Sequence, residues 1–361
     1  MNFDAVRNPV YQQAIQAMVT PDSVVLDLGA GLGLLGFMAA KAGARKVYMV
    51  EPEPVIEVTR KVARENGFDN VECIQATAET LDLPEKADII VSVFTGNFLL
   101  TEDLLPSLFH ARDRFLAPGG QLLPDNARMM VAPVTASEYY QEHVHNWSLP
   151  QALSHGIESY GVNYQAVRSY SANSMYYDTA EKFGATLLAE PACLLNMDFM
   201  SATDADCDKT AELTVNTDGE CHGWLGWFDM CLNRQWLSTS PKADPTHWRQ
   251  VFLPLDQPIA VKAGQKLGFQ LKRPAFGEWS WATDFEGQQQ RQSTFLSEPV
   301  TPDRLRRKSD TFQPSLNTKG QAAAYVLSHF DGSISSGALG DDLLQGFAEI
   351  FPDRKAALRF V

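Results

Sequence analysis

Apolar and polar positions alternate between short strands and amphipathic helices over the first 133 residues. Buried-strand patterns occur in five segments: VVLDL, KVYMV, VECI, ADIIV and GGQLL. Segments with helical spacing lie between them, such as LLGFMAAKAGA and DLLPSLFHARDRFL. Because strand and helix alternate with short connections, residues 1–133 are predicted to form a doubly wound α/β domain with a parallel sheet.

The pattern changes after Pro133. Residues 134–190 contain helix-like pieces rich in Tyr, Gln, Ser and His, and residues 193–274 contain short apolar runs separated by polar turns. The second pattern is typical of an antiparallel sandwich or barrel, so residues 134–285 are predicted to form a β domain with a helical insertion. Residues 286–361 are predicted to be a polar linker followed by a small helical or winged-helix appendage.

The composition and net charge of the chain argue against several classes of function. The chain has 361 residues, 45% of them hydrophobic, and a formal net charge of −14. This charge repels phosphates, so binding to nucleic acid or to an anionic membrane is not expected. The most apolar window, residues 24–44, contains two charged residues and five glycines, which disfavours a membrane span. Five cysteines without a CxxC spacing disfavour a metal site and a disulfide framework, so a cytoplasmic protein is expected.

The strongest local signal for chemistry is DLGAGLG, from Asp27 to Gly33 at the end of the first predicted strand. Gly29, Gly31 and Gly33 allow the backbone to approach a ligand at a helix N-terminus. Such a loop alone serves NAD, FAD and S-adenosylmethionine (SAM). An acid before the glycines disfavours a pyrophosphate but suits the cationic groups of SAM. Glu51 ends the second strand, where a carboxylate can bind ribose hydroxyls. The residues therefore predict a SAM site, with an NAD-dependent dehydrogenase as the remote alternative.

Several separate motifs resemble the protein arginine methyltransferase family of class I SAM-dependent methyltransferases. They are VVLDLGAGLGLLGFMAAKAGARKVYMVE, ATAETLDLPEKADIIVS and FLLTEDLLPSLFHARDRFLAPGGQLLPDNA in the first domain, and GWFDMCLN, LSTSP, PTHWRQ and PIAVKAG in the second. The resemblance runs from about Asp4 to about Lys272. It implies a Rossmann-like methyltransferase domain followed by an antiparallel β-barrel, with a helical dimerisation arm at about residues 140–180 and assembly as a homodimer.

The resemblance also assigns a cofactor site. The residues expected to line it are Arg7, Asp27, Gly29, Gly31, Gly33, Glu51 and Glu79. Glu51 would hold the ribose and Glu79 the adenine amino group. Arg7 would pair with the carboxylate of SAM, in the bidentate geometry that a guanidinium favours.

The same resemblance places Asp4 beside His247 of a Thr-His-Trp loop. A carboxylate on one ring nitrogen fixes the imidazole tautomer and is expected to raise the pKa of the ring, so this pair could accept or relay a proton. Trp248, the next residue in the loop, is expected to contact the methyl acceptor.

In the protein arginine methyltransferase family, a hairpin loop with two glutamates binds the substrate guanidinium. Here the loop has Glu102 as the second acid, but Val93 stands at the position of the first. Asp103 could substitute only by turning inward. A missing carboxylate removes an ion pair from a guanidinium, so two alternatives to arginine methylation stay open. One is methyl transfer to a small molecule or a modified peptide, and the other is a catalytically weak SAM-binding scaffold.

Overall fold

The computed structural model describes residues 1–149, 153–154, 157–158 and 160–361. Its first part alternates helices and strands, as the hydrophobic pattern predicts. In chain order the elements are α1 (Arg7–Met18), β1 (Val24–Leu28), α2 (Leu34–Lys41), β2 (Lys46–Val50), α3 (Ile56–Glu65), β3 (Val71–Ile74), β4 (Ala87–Ser92), α4 (Leu105–Phe115) and β5 (Leu116–Leu123).

These five strands form a parallel sheet in the order β3-β2-β1-β4-β5. Every residue of β1 is buried, and Leu26 lies between Tyr48 of β2 and Ile90 of β4. The strand order reverses at β1, which opens a crevice at the carboxyl ends of β1 and its neighbours. The predicted doubly wound α/β domain is confirmed.

Antiparallel strands dominate the next part of the chain. In chain order its elements are β6 (Asn126–Thr135), α5 (Ser137–His143), a 3₁₀ turn (His145–Ser148), β7 (Leu153–Ser154), β8 (Ile157–Glu158), a 3₁₀ turn (Gln165–Val167), α6 (Arg168–Ala172), β9 (Tyr176–Asp178), β10 (Thr186–Leu187), β11 (Ala192–Asp198), β12 (Cys207–Thr214), β13 (Gly219–Leu232), β14 (Gln235–Ser238), β15 (Gln250–Val261), β16 (Lys266–Arg273), β17 (Ser280–Phe285), β18 (Gln288–Ser293) and a 3₁₀ turn (Thr294–Leu296).

Two sheets pack together in this part. One has the order β10-β6-β13-β15-β9, with β11 paired to β6 and β14 to β13, and the other has the order β12-β16-β17-β18. Trp224 of the first sheet lies 4.5 Å from Phe269 of the second, between ring centroids, and donates its indole N–H to Thr283 Oγ1 at 2.7 Å. Trp281 of the second sheet donates to the backbone oxygen of Pro254 at 2.9 Å. The predicted antiparallel, barrel-like domain is confirmed.

The region predicted as a helical arm, about residues 140–180, holds α6, two 3₁₀ turns and the end of α5. It also contains the short β7–β8 pair and β9, which joins the barrel sheet at β15. Residues 150–152, 155–156 and 159 of the predicted arm lie outside the described residues.

The chain divides into two compact units, Met1–Pro299 and Val300–Val361. The barrel strands begin with β6, before the predicted boundary at residue 134. They end with β18, which pairs along β17, so the predicted linker begins later than residue 286. Three of the six residues of β18 are exposed and one is buried, because β18 is an edge strand, so its polar sequence lacks an apolar strand pattern.

The second unit contains α7 (Pro302–Arg307), α8 (Thr318–Ser328), α9 (Ser336–Gly346) and α10 (Arg354–Phe360). Its small core includes Ala322, Val326, Leu343, Phe351 and Ala357. Residues 300–361, all of which are described, include no strand, so the winged-helix alternative for the appendage does not apply. No helix in the described part of the chain is both long and apolar enough to cross a membrane.

Candidate active site

The glycine loop connects β1 to α2 at the crevice of the parallel sheet. Gly29, Gly31 and Gly33 have φ of +72°, +53° and +79°, a region that side chains with a Cβ rarely adopt. A Cβ on Gly33 would lie 2.6 Å from Thr59 Cγ2, whereas a Cβ on Gly31 would meet nothing within 4 Å. Gly33 thus permits close packing on α3, while Gly31 leaves open space beside the backbone.

Two carboxylates converge on this loop, as the sequence predicts. Asp27 is buried, and its Oδ2 accepts a hydrogen bond from the backbone N–H of Gly36 at 2.7 Å. Glu51, at the end of β2, accepts from the backbone N–H of Gly31 at 3.0 Å through Oε2 and from that of Glu53 at 3.0 Å through Oε1. Burial raises the pKa of Asp27 to about 7, and the charge of Glu51 adds to this increase.

Asp4 connects the start of α1 to the barrel. Its Oδ1 accepts from the backbone N–H groups of Val6 at 3.0 Å and Arg7 at 2.8 Å. Its Oδ2 accepts from the backbone N–H of His247 at 2.9 Å and lies 2.8 Å from Nδ1 of that ring. The Asp4–His247 contact expected from the resemblance is therefore present in the geometry of the molecule.

The pKa of His247 differs from the sequence-based expectation. Burial lowers the pKa of the ring more than the hydrogen bond to Asp4 raises it, and the charge of Arg7 lowers it further. For Asp4, burial favours the neutral acid, but the hydrogen bonds from Arg7 and His247 outweigh it and lower the pKa to about 2. The pair near neutral pH is thus an ionised carboxylate and a neutral imidazole whose Nδ1 carries the proton.

Arg7 is fully buried within the same cluster. Its Nη2 donates to Asn8 Oδ1 at 2.7 Å and to the backbone oxygen of Met1 at 3.1 Å. Its Nη1 is buried and has no hydrogen-bond partner among the described residues. A buried guanidinium nitrogen without a partner is energetically costly, so this atom is suited to an anionic ligand group.

The hairpin after β4 is held in place by the rest of the molecule. Tyr11 of α1 donates its hydroxyl to the backbone oxygen of Ser92 at 2.9 Å. The indole N–H of Trp248 donates to the backbone oxygen of Thr95 at 2.8 Å, and the backbone N–H of Arg249 donates to Asn97 Oδ1 at 2.8 Å. Trp248 is buried with its indole donor occupied, so in this structure it supports the hairpin.

A barrel glycine accommodates the tip of this hairpin. Phe98 is completely buried, and a Cβ on Gly226 of β13 would lie 2.5 Å from its Cε2. Phe98 also stacks on Trp279 with 5.7 Å between ring centroids. The hairpin therefore packs against the barrel through contacts that the sequence analysis does not predict.

The acceptor residues predicted on this hairpin have different surroundings. Glu102 is exposed, and Val93 is half-buried against the hydrophobic core. Asp103 forms an ion pair with Arg273 of β16 and accepts from the backbone N–H of Phe276 at 2.8 Å. Its carboxylate therefore does not replace the acid missing at Val93. Sequence reasoning did not identify Arg273, since nothing local in its sequence distinguishes it.

Glu79 lies in the segment after β3 and is exposed. Its Oε1 accepts from the hydroxyl of Ser107 at 2.6 Å, and this hydrogen bond is the largest factor lowering the pKa of Glu79. In the described part of the chain, no three His, Cys, Asp or Glu side chains are arranged to hold a metal ion.

Comparison with known proteins supports both domains. A methyltransferase domain family matches residues 25–120, and the arginine methyltransferase oligomerization subdomain matches residues 125–284. Protein arginine N-methyltransferase 1.1 of Arabidopsis thaliana is 30% identical over 274 residues, covering 73% of this chain and 67% of the relative. Protein arginine N-methyltransferase 1 of Chlamydomonas reinhardtii is 29% identical over 299 residues, covering 79% of this chain and 84% of the relative.

Solved structures agree with these relatives. The Trypanosoma brucei PRMT1 enzyme-prozyme heterotetrameric complex with AdoHcy matches with a TM-score of 0.71 and 30% identity, covering 80% of this chain and 95% of that one. Arabidopsis thaliana protein arginine methyltransferase 10 matches with a TM-score of 0.68 and 25% identity, covering 81% and 95%. The chain therefore belongs to the protein arginine methyltransferase family of SAM-dependent enzymes.

Proposed function

We propose that this methyltransferase transfers a methyl group from SAM to an arginine side chain of a protein, bound between the Rossmann-like domain and the barrel. The contact between Asp4 and His247 is the main support. It brings the N-terminal element that contains Arg7 together with the barrel loop beside the Val93–Glu102 hairpin. This contact supports a site in which the residues proposed for the cofactor and those proposed for the acceptor lie on connected elements.

The residues of the proposed cofactor site fit SAM chemically. The buried, unpartnered Nη1 of Arg7 suits a carboxylate, and the open space at Gly31 suits close approach of a ligand. Asp27 complements a positive charge, Glu51 is placed for ribose hydroxyls, and Glu79 is assigned the adenine amino group. When bound, SAM supplies an electrophilic methyl group on a sulfonium.

The proposed acceptor chemistry uses Glu102 and His247. Glu102 would bind the guanidinium and direct one nitrogen toward the methyl group, so that positioning provides much of the rate increase. The acceptor nitrogen loses one proton as its new N–C bond forms. Because Nδ1 of His247 is bound to ionised Asp4 at 2.8 Å, the neutral ring has Nε2 available to accept that proton.

Assembly as a homodimer through the arm at about residues 140–180 is part of the proposal. Its support is the match to an oligomerization subdomain over residues 125–284. The cytoplasm is the proposed location, which the five free cysteines favour.

A second candidate acceptor is a less cationic group, on a small molecule or a modified peptide. Two features favour this second acceptor. Position 93 holds a valine, and Asp103 is paired with Arg273. Glu102 is then the single acid in the hairpin that we propose to face the acceptor. A guanidinium held by one carboxylate is less stabilised than one held by two.

Methyl transfer from labelled SAM would test the proposed acceptor. Arginine peptides and matched peptides with lysine at each arginine position would be incubated with wild type and with Glu102→Gln. We expect label on arginine, confirmed by fragmentation mass spectrometry, and a loss of at least tenfold in Glu102→Gln. Label confined to oxygen, amide nitrogen or carbon would establish the second candidate instead.

A further inference from the structure

We propose that Arg273 and Asp103 are positioning residues that set the orientation of Glu102. The inference rests on the proposed function, in which Glu102 binds the acceptor. It extends that function because neither residue is expected to touch the acceptor or SAM. Asp103 directly follows Glu102, and Arg273 lies at the end of β16, far along the chain.

The backbone at Asp103 requires external support. Its φ is +54°, in the left-handed region that a residue with a Cβ adopts at an energetic cost. Strain of this kind persists where surrounding contacts enforce it. At Asp103 the enforcing contacts are the ion pair with Arg273 and the hydrogen bond from the backbone N–H of Phe276 at 2.8 Å.

Arg273 is a rigid anchor for this contact. Its side chain is 2% exposed, and its guanidinium carbon lies 5.3 Å from the ring centroid of Trp279. Trp279 in turn stacks on Phe98, at the tip of the same hairpin. Arg273 and Trp279 thus hold the two ends of the hairpin segment between Phe98 and Asp103.

Glu102 lies inside the segment that these contacts hold. Its backbone nitrogen and Cγ would both lie 2.9 Å from a Cβ on Gly96, so the returning chain passes close to the opposite side of the hairpin. Because Asp103 is directed toward β16, the adjacent Glu102 is left exposed at the surface of the hairpin. A small displacement of a group that orients a substrate can cost a large part of the rate, about 10²-fold for 1 Å.

The test distinguishes loss of the Asp103–Arg273 ion pair from general destabilisation of the protein. The double variant Asp103→Asn with Arg273→Met removes both charges together, leaving no buried charge unpaired, and the Asn oxygen can still accept from Phe276. Lys272→Met is the matched control, since Lys272 is the neighbouring cation on β16 and forms an exposed pair with Asp208 at 3.4 Å. Asp103→Gly with Arg273→Met provides a second double variant, because glycine adopts a positive φ without strain and no buried guanidinium is left unpaired.

We expect both double variants to lose at least tenfold in kcat/KM for an arginine peptide. SAM affinity by calorimetry should stay within twofold, and Lys272→Met should match wild type in both measurements. In a Glu102→Asp background the Asp103 variants should cause little further loss, because they act through the same side chain. A purely structural effect would instead multiply with the Glu102→Asp loss.

A multiplied loss in the Glu102→Asp background would overturn the inference, and so would either of two further results. Wild-type kinetics in both Asp103 variants, with Glu102→Asp impaired, would refute the positioning role and leave the proposed function intact. Unchanged arginine kinetics in Glu102→Asp would instead refute the proposed role of Glu102, and the inference with it.

Discussion

Asp4 accepts two hydrogen bonds from His247, which lies 243 residues further along the chain: one from the backbone N–H at 2.9 Å and one involving Nδ1 at 2.8 Å. The same carboxylate accepts from the backbone N–H groups of Val6 and Arg7, where α1 begins. One side chain therefore fixes the N-terminal element, the barrel loop and the histidine tautomer together.

The free energy of unfolding should fall at low pH, because Asp4 becomes protonated there. Its pKa of about 2 lies below the value of 3.8 for an unperturbed aspartate, so its contribution to stability is present above pH 3.8 and lost as the pH falls toward 2. Asp4→Asn should remove about 2 kcal/mol of this pH-dependent stability. Urea unfolding at pH 4 and at lower pH checks this, and parallel pH profiles for both proteins would contradict it.

Asp27 should give the stability of the protein the opposite pH dependence to that given by Asp4. Because burial raises its pKa to about 7, its contribution is fully present below about pH 4 and is lost as the pH rises through 7. Asp27→Asn keeps an acceptor for the N–H of Gly36 and should raise the free energy of unfolding at pH 8, by at most about 4 kcal/mol. The same variant should weaken SAM binding. Unfolding curves at pH 5 and pH 8, with calorimetry for SAM, measure both effects.

Glu51 should contribute directly to cofactor affinity. Glu51→Ala is expected to weaken SAM binding by about 1.5–3 kcal/mol, the range for hydrogen bonds to a charged group. Glu53→Ala is a suitable control, since Glu53 is exposed two residues away and the substitution keeps the backbone N–H that it donates to Glu51. Equal affinities of the two variants for SAM would remove Glu51 from the site.

Val93→Glu should raise methylation of arginine peptides, because it restores a second carboxylate to the hairpin. If the acceptor is uncharged, the added carboxylate is a half-buried charge without a partner. The native reaction would then fall while SAM binding stays intact. Steady-state kinetics on arginine and lysine peptide panels distinguish the two results, and Val93→Gln controls for size.

Dimer formation should be evident from the mass in solution. Light scattering at micromolar concentration is expected to give twice the mass of one chain. Truncation of the arm between residues 140 and 175 should reduce it to one chain mass. A wild-type mass equal to a single chain would exclude the proposed homodimer.

The parallel sheet and the glycine loop could be predicted because their signals are local. A buried run such as VVLDL and the glycines after it carry their own pattern. The edge strand Gln288–Ser293 could not be predicted, since an edge strand with a single buried residue needs no apolar alternation. The contact of Asp103 with Arg273 depends on tertiary structure alone, because neither neighbouring sequence indicates it.

The sequence-based prediction of a raised pKa at His247 was wrong for a related reason. The carboxylate of Asp4 could be inferred from a motif, and its effect on the ring has the expected sign. Burial of the ring depends on how the two domains pack, and it outweighs the effect of that carboxylate. Motifs identify partners, whereas solvent exclusion depends on the complete fold.

Phe98 packs against Gly226, so the hairpin that we propose to bind the acceptor is shaped by both domains. Residues 1–124 expressed alone would present Phe98 to water and lack the barrel surface that shapes the hairpin. Exchange of barrels between relatives would therefore have to carry the matching hairpin with it. Under the proposed function, a change in the hairpin or in the barrel surface that contacts Phe98 would therefore require a compensating change in the other.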